Sequence, residues 1–389
     1  MTTLYAFIIL LGVLVTIHEF GHFIAARSVG IRVERFSVGI PPRLVSITSI
    51  NDGFLFKLFF FKLVDGKIKW TSVMSKKLRK RNRRGSNTEY VIALLPLGGY
   101  VKMAGMIDES MDTNIEHKSD EFQSKNLVEK IWVLSAGVLM NILLAIAVFS
   151  MLGFHNGIPK TKNDPIVFQL QDDMPAKKAG LIPGDKILSI NSSDVETWED
   201  MTKIIHSSPN KLLSFKIKRG SKLIELDIKT SEYSLPSEGI IDTIGIIGIR
   251  PEVYYENISF ANALSNGMKQ TISSFGLIVY SLKMLGSGAA SISDLGGPIM
   301  IAQLAGQTAE AGITPFLTFM ALLSVNLAFL NILPIPGLDG GHIFIYLIEG
   351  ILRRPLKIKT RVVIQQIGMA LLLMLMVTVI MQDITRLFN

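Results

Sequence analysis

Residues 4–25 form an apolar segment that is uncharged as far as His18 and long enough to cross a bilayer as a helix. Glu19 and His22 follow within it, in the spacing His-Glu-x-x-His. A charged side chain inside a membrane costs at least about 2 kcal/mol, so such residues usually mark a functional site. The first part of the chain therefore predicts a membrane helix with a polar site inside it.

The spacing of the two histidines suits a shared metal ion. Positions four apart on a helix lie nearly one above the other, so His18 and His22 can offer imidazole nitrogens to one ion. The carboxylate of Glu19 can then reach a metal-bound water as a general base without being a ligand itself. An accidental match to the pattern is the alternative.

A metal site of this kind needs a third ligand. The chain contains no cysteine, so that ligand must be a carboxylate or another histidine. We predict Asp339, which lies in Leu-Asp-Gly-Gly, although aspartate is also a frequent turn former. Two histidines, one carboxylate and a water molecule make a catalytic zinc site. The sequence thus predicts one Zn²⁺ per chain, held by His18, His22 and Asp339.

Hydrophobic residues make up 49% of the chain, which is too apolar for an ordinary soluble enzyme. Uncharged segments at 131–154, 311–338 and 362–382 predict three further spans. Basic residues follow the first and third spans, which assigns those ends to the cytoplasm. Four crossings then leave both termini, and the region after the second span, outside the cytoplasm. Because the net charge of +8 is gathered beside apolar segments, nucleic-acid binding is disfavoured.

Two stretches predict β structure at membrane depth. Residues 33–50 alternate apolar and polar side chains, and residues 89–103 are too rich in proline and glycine for a span, which suggests a re-entrant element. The latter offers a possible strand edge that could pair with an extended substrate backbone, at Gly98, Gly99 and Tyr100. An ordinary hairpin is the alternative.

Residues 51–87 are first rich in phenylalanine and then strongly basic, with the basic run at 76–84. Basic residues near a membrane surface attract anionic lipid headgroups, by about 1 kcal/mol each. The run therefore predicts contact with anionic lipid. A solvated cytoplasmic loop that only sets the topology is an equally good interpretation.

Residues 179–191 match Ala-Gly-Leu-x-x-Gly-Asp-x-Ile-x-x-Ile-Asn, a pattern that resembles PDZ domains, which bind extended peptide ends. We assign 159–235 to this module, 1–158 to an N-terminal membrane region, 236–310 to an amphipathic region with an interfacial helix, and 311–389 to a C-terminal membrane region. The predicted fold class is an α-helical polytopic membrane protein with about four spans, re-entrant β-type elements and one extracytoplasmic PDZ-like α+β domain.

Together these motifs resemble a known family. His-Glu-Phe-Gly-His at 18–22, Gly-Gly-Tyr-Val-Lys-Met at 98–103, the PDZ-like module, and Asn-x-Leu-Pro-x-Pro-x-Leu-Asp-Gly-Gly-His at 331–342 are similar to the bacterial site-2 proteases of the RseP type, in peptidase family M50. The resemblance covers nearly the whole chain except residues 51–87.

That resemblance implies zinc proteolysis within the inner membrane of a bacterium. The implied substrates are single-span membrane proteins, such as trimmed anti-sigma factors, and remnant signal peptides. The residues it assigns are the zinc ligands His18, His22 and Asp339, the catalytic base Glu19, and the substrate contacts Asn326 and Asn331. The chain departs from the family in having one PDZ-like module, where the best-known members have two, and Val138 where proline is usual.

Three other interpretations are weaker. A membrane-tethered zinc enzyme that faces the cytoplasm is disfavoured because the motif lies within the span. In a catalytically inactive membrane scaffold, with the PDZ-like module as its working part, one or more of the metal ligands should be missing. Every expected residue is present. A transporter would explain broken helices and buried polar groups, but no inverted repeat is evident.

Overall fold

The computed structural model describes residues 1–64, 67–80, 85–106, 116–237, 240–291 and 296–388. The chain divides into two compact units. The membrane unit comprises Met1–Met151, Leu264–Val279 and Gly288–Asn389, and the PDZ-like unit comprises Leu152–Ala263 and Tyr280–Ser287.

The secondary structure of the described residues is mixed. The helices are α1 (Thr2–Ser28), α2 (Leu127–Asn156), α3 (Pro175–Lys178), α4 (Trp198–His206), α5 (Phe260–Gly286), α6 (Pro298–Ala311), α7 (Ile313–Ile332), α8 (Asp339–Leu352) and α9 (Ile358–Phe388), and Phe122–Ser124 forms a 3₁₀ turn. The strands are β1 (Val33–Ile50), β2 (Gly53–Val64), β3 (Lys67–Arg79), β4 (Glu89–Met103), β5 (Ile158–Thr161), β6 (Gln169–Leu170), β7 (Lys186–Ile190), β8 (Ser193–Asp194), β9 (Leu212–Arg219), β10 (Lys222–Lys229), β11 (Ser231–Ser237), β12 (Ile240–Ile246), β13 (Ile249–Arg250) and β14 (Val253–Glu256).

Four of these helices, α1, α2, α7 and α9, are long and apolar enough to cross a membrane. Their number matches the sequence prediction. The bounds of α1, α2 and α9 run past the predicted apolar segments, because a hydrogen-bonded helix continues through flanking polar residues. The predicted third stretch, 311–338, is interrupted: α7 ends at Ile332 and α8 begins only at Asp339, with Pro334 and Pro336 between them.

Helix α1 is the centre of the membrane unit. Its Leu10 and Leu14 are fully buried against Phe316 and Met320 of α7. On another face, a side chain at Gly21 would overlap the carbonyl group of Ala136 on α2, so the two backbones approach closely. Small residues permit such approaches between membrane helices.

A four-stranded sheet of order β3-β2-β1-β4 follows α1. Phe36 of β1 is opposite both Val101 and Tyr90, so the first half of β1 lies between the two halves of β4. Val33 and Val101 pack with the last turns of α1 and with Val133 of α2, which joins the sheet to the helices.

The region 51–87, for which the sequence predicted no strands, forms the β2–β3 hairpin of this sheet. The first residues of the basic run, 76–79, belong to β3. Residues 81–84 of that run lie outside the described residues.

The PDZ-like unit is built on the sheet β10-β9-β7-β8, which packs with α3 and α4. Its core includes Ile187, Phe215 and Ile217, together with Ile247. The last of these lies beyond the boundary predicted at 235, because β13 returns to pair with β6. Residues 236–310 contain the short strands β12, β13 and β14, followed by helices α5 and α6.

Candidate metal centre

Two side chains of α1 and one from the start of α8 converge on one point. The Nε2 atoms of His18 and His22 lie 3.2 Å apart. Oδ2 of Asp339 lies 3.1 Å from Nε2 of His18 and 3.4 Å from Nε2 of His22. Both histidines are buried, with 7% and 6% of their surface exposed. The structure therefore brings together the three residues that the sequence predicted as ligands.

The interruption between α7 and α8 brings Asp339 to this point. Asp339 is the first residue of α8, and the turn before it contains Pro334 and Pro336. A side chain at Gly340 or Gly341 would overlap main-chain atoms of that turn, so only glycine fits at either position. The Gly-Gly pair after the aspartate thus allows α8 to begin tightly against the end of α7.

Groups behind the two imidazoles hold their orientation. The carbonyl oxygen of Val133 lies 2.8 Å from Nδ1 of His22. The Nδ2 atom of Asn141 lies 3.2 Å from Nδ1 of His18. Partners at the ring nitrogen that points away from a metal commonly orient its imidazole ligands. Asn331 lies on the opposite side of the ring, where its Nδ2 atom is 3.4 Å from Nε2 of His18.

This site fits a metal ion. Oδ2 of Asp339 is buried and has no hydrogen-bond donor within the described part of the chain. A buried acceptor without a donor is costly, and a cation offsets that cost. Two imidazole nitrogens and one carboxylate oxygen are the donor set of a catalytic zinc site with an open fourth position. The residues present could therefore hold one zinc ion.

Sequence reasoning missed two residues of α2 that border this site. A Cβ atom on Gly137 would lie 2.5 Å from Nε2 of His22, so the site requires glycine there. The second residue is Asn141, beside His18. They are four apart on one face of α2, but that spacing alone does not show that this face packs on α1.

The predicted strand edge lies next to the predicted base. Glu19 is half-buried, and its Cγ is 3.5 Å from where a Cβ atom of Gly99 would stand. Gly98 faces Val15, one turn earlier on α1. The hydroxyl of Tyr100 accepts a hydrogen bond from Arg35 and so belongs to the sheet.

The two asparagines on α7 differ in their positions. Asn331 reaches His18, as described above. Asn326 is half-buried more than one turn earlier, and none of its hydrogen bonds within the described residues reaches the three ligand candidates.

Comparison with known proteins decides the family. Residues 6–70 and 58–375 match the sequence profile described as "Peptidase family M50". The chain belongs to peptidase family M50. The family membership predicted from the motifs is thereby confirmed.

Individual M50 relatives match along their full lengths. A candidate zinc metalloprotease of Rickettsia conorii is 32% identical over 396 residues, which cover 100% of both chains. Zinc metalloprotease RasP of Oceanobacillus iheyensis is 29% identical over 431 residues, again covering 100% of both. Among solved structures, the PDZ domain of an SdrC-like protein from Listeria monocytogenes is 27% identical, covers 24% of this chain and 90% of its own, and has a TM-score of 0.19.

Proposed function

We propose that this M50 peptidase is a zinc-dependent intramembrane endopeptidase. The observation that carries the proposal is the convergence of His18, His22 and Asp339 within 3.4 Å of one another, with both histidines inside a helix apolar enough to span a membrane. The names of the relatives, which describe zinc metalloproteases, support the choice of metal. The substrate is the transmembrane segment of a single-span membrane protein, anti-sigma-factor-like, or a remnant signal peptide.

The chemistry follows from the positions of the side chains. His18 and His22 would hold the metal through Nε2, and Asp339 through a carboxylate oxygen. When bound, zinc lowers the pKa of its water and polarises the carbonyl that is attacked. Glu19, one residue after the first ligand, accepts the proton from the attacking water and passes it to the leaving amine.

A helical substrate must be unwound locally, because its carbonyl groups are hydrogen-bonded within the helix. The Gly98–Gly99 edge lies beside Glu19 and suits an extended backbone, which would add to the sheet as a further strand. Asn326 and Asn331 carry amide groups that can bond freed backbone groups, and Asn331 is already beside His18. Helix-breaking residues in the substrate span should therefore speed cleavage.

The proposed location is the bacterial inner membrane. Basic residues after α1, and between α8 and α9, support a cytoplasmic position for those ends. Both termini and the PDZ-like unit then lie outside the cytoplasm, where the PDZ-like unit binds the ends of trimmed substrates. Because the chain has no cysteine, a single Ser193→Cys variant should label with an impermeant reagent from outside the cell. If the cysteine is protected from that reagent, the orientation is the reverse of the one proposed.

The alternative is a catalytically inactive membrane scaffold. It predicts that the metal set is incomplete, so the convergence of all three ligand candidates supports the enzyme instead. The two are separated by reconstituting the purified protein with a reporter transmembrane span. A peptidase of the proposed kind cuts within that span, as mass spectrometry of the products would establish, and stops when a zinc chelator is added. A scaffold leaves the reporter whole, and a cut outside the span would contradict intramembrane cleavage.

A further inference from the structure

The β2–β3 hairpin projects beyond the rest of its sheet. β2 pairs with β1 from Gly53 to Leu58, and from Phe59 onward its described partner is β3. Residues 59–64 and 67–72 therefore form a two-stranded extension, called here the outer ribbon. A two-stranded ribbon is only marginally stable in water. This one consequently needs a surface that covers it.

One face of the outer ribbon is apolar and exposed. Phe61 is opposite Trp70, and Leu63 is opposite Ile68, so all four side chains point to the same side. Phe61, Leu63 and Ile68 are 60%, 71% and 72% exposed. The indole nitrogen of Trp70 donates to the carbonyl oxygen of Arg43, which ties the base of the ribbon to β1. The apolar face is therefore fixed in position and exposed.

The charge of the hairpin points to the chemistry of the partner. Lys62 and Lys69 are cross-strand partners on the other face of the ribbon. Residues 53–80 contain eight basic side chains and one acidic one, Asp65. A surface that suits this hairpin must be apolar at one depth and anionic just above it. The headgroup layer of a membrane that contains anionic phospholipid has both properties.

We propose that the outer ribbon inserts into the headgroup layer of an anionic bilayer. Phe61, Leu63 and Ile68 lie at the acyl boundary, while Lys62 and Lys69 contact lipid phosphate groups. The sequence predicts lipid contact for the basic run 76–84. The outer ribbon, further along the same hairpin, also combines exposed apolar and basic side chains. The proposal requires that the membrane unit is embedded, and it does not depend on peptidase activity.

A single label tests the proposal on the full chain. Because the protein has no cysteine, Ile68→Cys can carry one environment-sensitive fluorophore. The labelled protein is reconstituted into vesicles of phosphatidylcholine alone or with phosphatidylglycerol. We expect apolar emission when phosphatidylglycerol is present. Replacing both Lys62 and Lys69 by Gln should lower the ratio of inserted to free ribbon by roughly thirtyfold, and high salt should act in the same direction.

Matched controls make the outcome decisive. Lys216 and Lys218 are exposed on one face of β9 in the other unit, and replacing both by Gln removes the same charge without affecting the label. Emission that is equal in the two lipids would overturn the proposal. So would a phosphatidylglycerol response that survives the Lys62 and Lys69 changes. Emission that stays water-like in both lipids, and shifts only on adding soluble protein, would assign the ribbon to a protein partner instead.

Discussion

The imidazole of His22 on α1 is held by the main-chain carbonyl of Val133 on α2, whose oxygen lies 2.8 Å from Nδ1. A carbonyl oxygen can only accept, so Nδ1 of the neutral ring carries the hydrogen and Nε2 keeps its lone pair. That Nε2 atom is the one that faces His18 and Asp339. Helix α2 thus sets the tautomer of a ligand candidate on α1.

The first prediction concerns Gly137. A Cβ atom there would lie 2.5 Å from Nε2 of His22 and 2.6 Å from Cε1 of His18. Neither ring can move away without losing its partner on α2. We therefore expect Gly137→Ala to weaken zinc binding by roughly tenfold to a hundredfold, as measured by competition with a chelator. The control is Gly276→Ala on α5, whose added Cβ meets nothing within 4 Å. Equal zinc affinity in the two variants would show that α2 does not limit the site.

The second prediction concerns Asn141. When Nε2 of His18 faces a metal, Nδ1 carries the hydrogen and needs an acceptor. Oδ1 of Asn141 is buried without a hydrogen-bond partner in the described structure, and turning the amide over would supply that acceptor. Asn141→Ala should then lose zinc affinity by roughly tenfold or more. Asn141→Asp also presents an acceptor and should restore most of it. If the Ala and Asp variants bind zinc equally weakly, Asn141 does not act as the hydrogen-bond acceptor for Nδ1 of His18.

Much of this site could be predicted because its signals are local. The helical period places His18 and His22 on one face of α1. The absence of cysteine leaves only a carboxylate or another histidine as the third ligand. Gly137 and Asn141 could not be found in the same way, because their roles depend on how α2 packs on α1. The β2–β3 hairpin was missed because Phe59, Phe60 and Phe61 are consecutive, which hides the alternation that indicates a strand. Ile247 joins the PDZ-like core from beyond 235 through a non-local strand pair.

The third prediction concerns the turn that precedes Asp339. A side chain at Gly368 on α9 would overlap the main chain of Pro336, three residues before the ligand candidate. Gly368→Ala should push the turn away from α9, weakening zinc binding and lowering the free energy of unfolding by about 1–3 kcal/mol. Chelator competition and thermal unfolding measure the two effects. Gly286→Ala, whose added Cβ meets nothing within 4 Å, should change neither. Unaltered zinc affinity in Gly368→Ala would show that α9 does not support Asp339.

The fourth prediction concerns the PDZ-like unit. Arg219 donates from Nε and Nη2 to the fully buried carboxylate of Asp185, at 2.8 Å each. Burial raises the pKa of Asp185, but the bonds from Arg219 and from the main chain of Ile182 outweigh it and lower that pKa below its usual value. Because the pKa of Asp185 is lower in the folded than in the unfolded chain, its carboxylate stabilises the folded state above the unfolded pKa of about 4. That stabilisation is lost as the pH falls towards the folded-state pKa.

Arg219→Gln removes the charge partner of this carboxylate. The substitution leaves the buried carboxylate without its charged partner, so hydrogen exchange in β7 and β9 of the full chain should be faster at neutral pH. The difference from wild type should shrink as the pH is lowered. Lys216→Gln, which alters an exposed side chain on the same strand β9, is the matched control. If hydrogen exchange in Arg219→Gln is as slow as in Lys216→Gln, Arg219 contributes little to the stability of the fold.

The most direct test separates metal binding from proton transfer in one purified, reconstituted protein. Glu19→Gln keeps the three ligand candidates but removes the base, so it should retain one zinc per chain while cleavage of a reporter span falls by about a hundredfold or more. His22→Ala, measured in parallel, should lose both zinc and cleavage. Full cleavage by Glu19→Gln, or undiminished zinc in His22→Ala, would contradict a zinc site at His18, His22 and Asp339 served by Glu19.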